Sequence, residues 1–292
     1  MKSSILAIFV GAIALCGQAV QKPDQTIWSG KSGGLTIAWT TADITATQGG
    51  NSVFSAREWA QTGLNHFVSV SRTAATPSPP DCNYTRTLKI VAVVRAMVSF
   101  EDATEITCRK EAHPGGMTRL ITLDLSSREP IVESGPDAIG QVDAKRPGKA
   151  VLLTRLFPAD DVFKALSATA PIQSAVRASG SEPRTLAALI QAVGDATGEG
   201  DNCYIIPTDL LAHFAFDRVE GGRVVIRLGL PGDGPCRMKL TSFDTSFAIP
   251  SGIASALEAA SAGKEGFLAK EGARIAAGRV TTIRLRSGAN AK

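Results

Sequence analysis

The chain has 292 residues, with 31 lysine and arginine residues against 27 aspartate and glutamate residues, which gives a formal net charge of +4. This excess is small and no stretch concentrates it. Nucleic acid is therefore excluded as an expected partner, because its recognition calls for a strongly basic face. The length allows one large domain or two small ones.

The N-terminal segment, residues 1–19, is predicted to be a secretory signal peptide. One charge, Lys2, precedes an apolar run over residues 5–16, and the small residues of Gly17-Gln18-Ala19 form a cleavage pattern. A membrane span needs roughly 20 apolar residues, so this run is too short to be one. Lipidation at Cys16 remains an alternative. Loss of Lys2 would lower the net charge from +4 to +3, and a periplasmic or secreted protein without a transmembrane segment is expected.

Four cysteines follow the predicted signal peptide, namely Cys82, Cys108, Cys203 and Cys236. An even number in an exported chain predicts disulfides, with three possible pairings. Pairing of neighbours is favoured, Cys82 with Cys108 and Cys203 with Cys236, because the latter two lie almost symmetrically about a predicted hairpin turn at Glu220-Gly221-Gly222. Each bridge would contribute about 3 kcal/mol in the chain-entropy model.

Residues 20–80 are predicted to be an N-terminal segment of strand and helix. The alternation of Leu35, Ile37 and Trp39 with other residues has the period of a strand. "SAREWAQTGLNHFV", residues 55–68, predicts a helix, although it contains a glycine. A proline-rich stretch over residues 73–83 then separates this segment from the rest.

Residues 81–262 are predicted to be an α+β domain. Three strand candidates, at residues 87–98, 105–112 and 117–125, indicate an antiparallel meander with one wet face. Helices are expected over residues 158–170, after a Ser181 N-cap, and over residues 250–261. A hairpin is expected over residues 213–230.

Residues 279–287 predict a closing strand within a C-terminal strand and tail, residues 263–292. Because strands group before and after helices rather than alternating with them, the fold class is α+β: an antiparallel sheet meander with packed helices and two disulfides.

Candidate chemistry begins with Gly30-Lys31-Ser32-Gly33-Gly34, which matches the G-x-S-x-G pattern of a nucleophile elbow. An elbow needs a strand before the serine and a helix after it. The residues that follow have a strand pattern, so a hairpin turn is the favoured interpretation. No catalytic residue is assigned.

The three histidines, His66, His113 and His213, lack the spacing of metal ligands, and no metal or cofactor is expected. His213 lies on the strand face opposite Phe214 and Phe216, which predicts an exposed or interface side chain. His113 precedes Pro114-Gly115-Gly116, which favours a turn residue over a catalytic one.

Several short motifs together resemble the RsiV-like extracytoplasmic domain, which occurs in lysozyme-sensing anti-sigma factors and beside some peptidoglycan deacetylases. They are Ala112-His113-Pro114, Leu123-Asp124-Leu125, Leu156-Phe157 and Ile249-Pro250. The resemblance implies an extracytoplasmic binding domain over residues 81–262, with lysozyme or a cell-wall glycan as candidate ligands.

We therefore expect an exported, non-catalytic binding protein of the bacterial cell envelope that binds or inhibits a lysozyme-like enzyme. The alternatives are a peptidoglycan-modifying enzyme and a structural envelope protein. The expected partner-binding residues are His113 and Pro114, with a local acidic patch in the predicted "SFEDATE" turn formed by Glu101, Asp102 and Glu105. Such a patch would attract a basic enzyme.

Overall fold

The computed structural model describes residues 24–70, 81–109, 114–127, 149–194, 209–232 and 236–287, with residues 129, 204 and 206. These ranges contain three antiparallel sheets and a set of helices, which confirms the α+β class. Within them, none of the helices combines the length and apolar character needed to cross a bilayer.

The N-terminal sheet has four strands in chain order: β1 Thr26–Ser32, β2 Leu35–Thr40, β3 Ile44–Gln48 and β4 Asn51–Ser55. Gly33 and Gly34 both have positive φ and form the tight link between β1 and β2, so the hairpin interpretation of the G-x-S-x-G stretch is confirmed. The predicted inward face of β2 is buried. The predicted helix follows as α1, Ala56–Val70.

The central sheet contains β5 Cys82–Val94, β6 Met97–Cys108, β7 Gly115–Asp124 and β11 Thr281–Arg286, in the order β11-β5-β6-β7. The predicted meander is therefore confirmed, but its bounds differ. Arg95 and Ala96 turn the chain inside the first strand candidate, and residues 105–108 are the end of β6 rather than a separate strand. Arg95 adopts a positive φ of 54°, and the sequence shows no glycine, proline or asparagine there that would predict a turn.

The remaining sheet, which we call the second sheet, has the order β10-β9-β8. Its strands are β8 Phe214–Glu220, β9 Arg223–Pro231 and β10 Leu240–Ala248. The predicted turn between β8 and β9 is confirmed, with Gly221 and Gly222 at positive φ. The remaining helices are α2 Leu153–Leu156, α3 Ala159–Ser167, α4 Ala170–Ser179, α5 Leu186–Val193, α6 Ala254–Ser261 and α7 Ala269–Ala276.

The predicted N-cap at Ser181 is wrong. Helix α5 begins at Leu186, and the Thr185 side chain accepts a hydrogen bond from the Ala188 amide. Gly180 ends α4 in a left-handed conformation, so Ser181 belongs to the link between the two helices.

The central sheet is covered on both faces by apolar residues, so the prediction of one wet face is wrong. One core joins it to the N-terminal sheet and α1, and a second core joins its other face to the second sheet and the helices. A bulge between Ile90 and Ala92 sends these two residues of β5 into different cores. Strand β11, from the predicted C-terminal tail, pairs with β5. Hydrogen bonding and apolar packing thus continue across the divisions at residues 80 and 262.

A charged cluster lies inside the first core. The Arg86 guanidinium donates to both carboxylate oxygens of Asp102, at 2.8 and 2.7 Å, and Nε of Arg119 donates to the same carboxylate at 3.0 Å. The side chains of Arg86 and Asp102 are 0 % exposed. The Trp59 ring of α1 lies under Arg86, with its centroid 3.4 Å from the guanidinium carbon. This buried cluster therefore connects three strands of the central sheet to α1.

The disulfide between Cys82 and Cys108 is formed, as predicted, and joins directly opposed residues of β5 and β6. Cys236 is also disulfide-bonded. Cys203 lies outside the described residues, so the described part of the chain gives one complete bridge rather than two, and the Cys203–Cys236 pairing stays a prediction.

Peptide mapping under non-reducing conditions tests this pairing. We expect one fragment pair that contains Cys82 and Cys108 and another that contains Cys203 and Cys236, because neighbour pairing already holds for the first two. A free Cys203 thiol would contradict the second bridge.

Replacement of Asp102 with asparagine is expected to lower the free energy of unfolding by about 3–5 kcal/mol, because two buried guanidinium groups lose their carboxylate. Chemical denaturation followed by tryptophan fluorescence measures the loss. Glu101→Gln is the matched control: the Glu101 side chain is 45 % exposed, and its loss should change stability by about 0.5 kcal/mol at most. Equal losses in the two variants would contradict the role given to the cluster.

The same carboxylate predicts an acid limit to stability. Burial raises the pKa of Asp102, but Arg86 and Arg119 more than offset it and hold the pKa below 3.8. A carboxylate whose pKa is lower in the folded state than in the unfolded state adds to the free energy of unfolding at pH values above its unfolded-state pKa. This contribution is lost as the pH falls through the folded-state pKa. In unfolding experiments between about pH 6 and pH 2.5, the gap between the wild type and Asp102→Asn should narrow only below about pH 4. A constant gap would contradict this.

Candidate functional site

A cleft of about 700 Å³ lies where the central sheet, the second sheet and α7 meet, and we call it the intersheet cleft. Its lining residues are Lys89, Val91, Glu101, Thr118, Leu120, Asp217, Arg218, Arg227, Met238, Leu240, Ser242, Ala269, Lys270 and Ala273. They come from six strands, one helix and the segment before β10, and they form an apolar floor under a charged rim.

The floor is a small buried cluster of Val91, Leu120 and Ala269, packed against Leu240. Gly229 of β9 helps to position it, because a Cβ at this position would approach the side chains of Leu120 and Leu240 to 3.1 Å. The floor is therefore a product of close contact between the two sheets.

Met238 stands beside this floor. The Thr118 hydroxyl donates to the Met238 carbonyl at 3.0 Å and so fixes the backbone of this residue against β7. The Met238 side chain is 43 % exposed. A thioether side chain adapts to many shapes, which favours it at binding surfaces.

One side of the rim is a ladder of ion pairs on the second sheet. Arg218 donates to Asp217, Asp244 and Glu220 at 2.7, 2.9 and 3.0 Å, and Arg227 contacts Asp217 and Asp244. The hydrogen bonds that Arg218 donates to Asp244, Asp217 and Glu220 raise the pKa of its guanidinium further above its ordinary value. The ladder thus holds five charged side chains in fixed relative positions.

The other side of the rim carries Lys89, Glu101 and Lys270. The Lys89 ammonium lies 4.0 Å from a Glu101 carboxylate oxygen, across β5 and β6. Lys270 is exposed on α7. The cleft lining as a whole carries four lysine and arginine side chains and two carboxylates.

This arrangement matches the anatomy of a recognition surface, with an apolar centre and a polar rim. The Arg218 ladder holds charges whose positions are fixed in advance. Fixed charges around an apolar floor orient a partner and help to select it.

The structure places the residues of the predicted acidic patch on different faces of the central sheet. The segment "SFEDATE" lies within β6 and is not a turn, so the expectation of an exposed acidic turn is wrong. Successive strand residues face opposite sides of the sheet: Glu101 lines the cleft, whereas Asp102 is fully buried with Arg86 and Arg119.

The other predicted partner residues lie near the start of β7. Glu105 is exposed and is paired with Gly116. Pro114 is half-buried and directly precedes β7. His113 lies outside the described residues, so its predicted role stays a prediction.

The prediction that His213 is exposed is wrong. His213 ends a 3-10 turn before β8 begins at Phe214, so it does not follow the alternation of the strand, and it is buried with its Nε2 3.3 Å from a carboxylate oxygen of Asp209. Burial raises the pKa of Asp209, but the electrostatic interaction and the hydrogen bond with His213, together with the charge of Arg119, more than offset it and lower the pKa. His213 thus has an acidic partner inside the protein.

No group of three or more histidine, cysteine and acidic side chains suited to a metal ion occurs among the residues that the structure describes. His66 lies on α1, which packs on the N-terminal sheet.

Comparison with known proteins adds no relative: no protein-family model, curated protein or solved structure matches the chain. The resemblance to the RsiV-like domain therefore stays a prediction based on short motifs.

Sequence reasoning did not identify Arg218, Arg227, Met238 or Lys270 as site residues. One signal was present: Arg227 lies on the face of β9 opposite the apolar row that contains Ile226 and Leu228. The carboxylate that completes the ladder, Asp244, is contributed by β10 through a strand pairing that sequence spacing does not specify.

Proposed function

We propose that this chain is an exported, non-catalytic binding protein of the bacterial cell envelope that receives a protein segment in the intersheet cleft. The observation that carries the proposal is the apolar floor enclosed by ion pairs whose positions are already fixed. Fixed ion pairs lose little side-chain entropy when a partner docks, so they orient the partner at low cost.

A protein segment suits the cleft because the floor is aliphatic and Met238 stands exposed beside it. An apolar side chain of a partner can displace water from this floor, at roughly 25 cal/mol per Å² of apolar area. The four cationic side chains of the lining are balanced by its two carboxylates and by Asp244 and Glu220 of the ion-pair ladder. A partner segment with an apolar tip and flanking side chains of both signs is therefore the best electrostatic match.

The proposed location rests on the formed Cys82–Cys108 bond together with the N-terminal sequence pattern. Disulfides persist in oxidising compartments such as the periplasm and the extracellular space. The resemblance to the RsiV-like domain names a lysozyme-like enzyme as the first partner to test, and exposed Glu105 supplies one local negative charge for a basic enzyme.

The test is surface plasmon resonance with the full chain against several immobilised lysozyme-like enzymes. We expect a dissociation constant in the micromolar range or tighter for at least one of them. Met238→Glu should weaken this binding about tenfold or more, since it places a charge over the apolar floor. Ala178→Glu is the matched control, because it adds the same charge on an exposed position of α4 outside the cleft.

Each outcome decides a separate part of the proposal. No retention of any such enzyme at micromolar protein overturns the proposed partner. Binding that Met238→Glu and Ala178→Glu affect equally overturns the cleft as the binding surface. Selective retention on peptidoglycan instead would favour the cell-wall glycan, and turnover of peptidoglycan by the purified protein would overturn the non-catalytic assignment.

A further inference from the structure

A second cavity, of about 480 Å³, lies beside the turn between β1 and β2. We call it the Ser32 pocket. It is lined by Ser32 and Gly33 of this turn, by Arg95 of the turn between β5 and β6, by Gly252 and Ser255 near the start of α6, and by Glu265. It shares no lining residue with the intersheet cleft, so an inference drawn from it is independent of the function proposed above.

Ser32 is the first observation. The residue is 0 % exposed, and its Oγ has no hydrogen-bond partner among the residues that the structure describes. A buried polar atom without a partner costs about 1–3 kcal/mol, and such atoms are rare in folded proteins. Because neighbouring atoms enclose Oγ in the free protein, a ligand in the cavity reaches it after a small movement of the wall, and the hydrogen bond then formed removes this cost.

Two opposite charges in the same wall are the second observation. Glu265 accepts a hydrogen bond from the Gly33 amide at 2.9 Å through Oε1, and Arg95 donates to the Gly252 carbonyl at 2.9 Å through Nη1. These bonds hold the carboxylate and the guanidinium in place. Among the described residues the two charged groups do not form an ion pair with each other, so each retains hydrogen-bonding capacity toward the cavity.

The backbone around Arg95 supports a fixed position for its side chain. Arg95 has a φ of 54°, an uncommon conformation for a residue other than glycine. The hydrogen bond to Gly252 holds this turn against the segment that leads into α6. The Arg95 side of the pocket therefore favours a carboxylate, and the Glu265 side favours an ammonium group.

We propose that the Ser32 pocket binds a small zwitterion, a free amino acid or a short peptide with both ends free. In this arrangement Arg95 takes the ligand carboxylate, Glu265 takes the ammonium group, and the Ser32 hydroxyl gains the hydrogen bond that it lacks. The volume of the pocket falls within the range of small-molecule sites.

The test is isothermal titration calorimetry of the full chain with dialanine, N-acetyl-dialanine and dialanine amide. The two blocked peptides each lack one of the two charges. We expect saturable binding of dialanine, and binding of each blocked peptide about tenfold weaker or more, since a hydrogen bond to a charged group is worth about 1.5–3 kcal/mol. No saturable binding of dialanine up to about 10 mM, or equal binding of all three peptides, would overturn the proposal.

Glu265→Gln removes the charge and keeps an acceptor for the Gly33 amide, and it should weaken dialanine binding about tenfold or more. Glu258→Gln is the matched control, because Glu258 is exposed on α6 outside the pocket. Equal affinity in the two variants would overturn the assignment of Glu265.

Ser32→Ala separates a ligand from a permanently bound water. If Oγ has no partner in the free protein, this variant should match or exceed the melting temperature of the wild type and bind dialanine more weakly. A lower melting temperature would show that Oγ already has a partner in the free protein, and unchanged affinity would show that Oγ does not contact the ligand. Either result would overturn its assigned role.

Discussion

The carboxylate of Asp102, enclosed by two arginines, is the interaction on which the arrangement of the central sheet depends. Burial of these charges is costly, so the cluster is better understood as a device for specificity than as a source of net stability. Asp102 lies directly opposite Arg119 on the neighbouring strand, and a shift by one residue would turn it toward the other face of the sheet. With Trp59 under Arg86, the cluster specifies both the register of β5, β6 and β7 and the position of α1 against them.

The same register builds the candidate site. In one row across the sheet, Leu88, Asp102 and Arg119 face the first core; in the adjacent row, Lys89, Glu101 and Leu120 face the intersheet cleft. In each strand, neighbouring residues thus belong to different features: one row lies in the protein interior, and the other lines the candidate site. The second sheet then adds the ion-pair ladder, and α7 adds Lys270.

Local patterns predicted local structure well. Apolar alternation and a Gly-Gly turn were sufficient for the hairpin of β8 and β9. An even number of cysteines predicted disulfides, and the positions of Cys203 and Cys236 about that hairpin left Cys82 to pair with Cys108. The turn at Arg95 was missed because its support, the carbonyl of Gly252, is distant in sequence. Asp102 looked like part of an exposed acidic run because its burial depends on Arg86 and Arg119, which only strand pairing brings together. The cleft combines residues from three separate stretches of the chain, so no single stretch carries its signature.

The Cys82–Cys108 bridge closes the hairpin of β5 and β6 at the end opposite the exposed turn at Arg95. A trypsin-like protease that cuts after Arg95 would therefore leave both halves of the chain covalently tethered. Hydrogen bonding along the two long strands would hold the nicked ends in place. In an environment rich in proteases, this hairpin would therefore survive a cut in its turn, whereas the same cut would separate two strands that are joined by the turn alone.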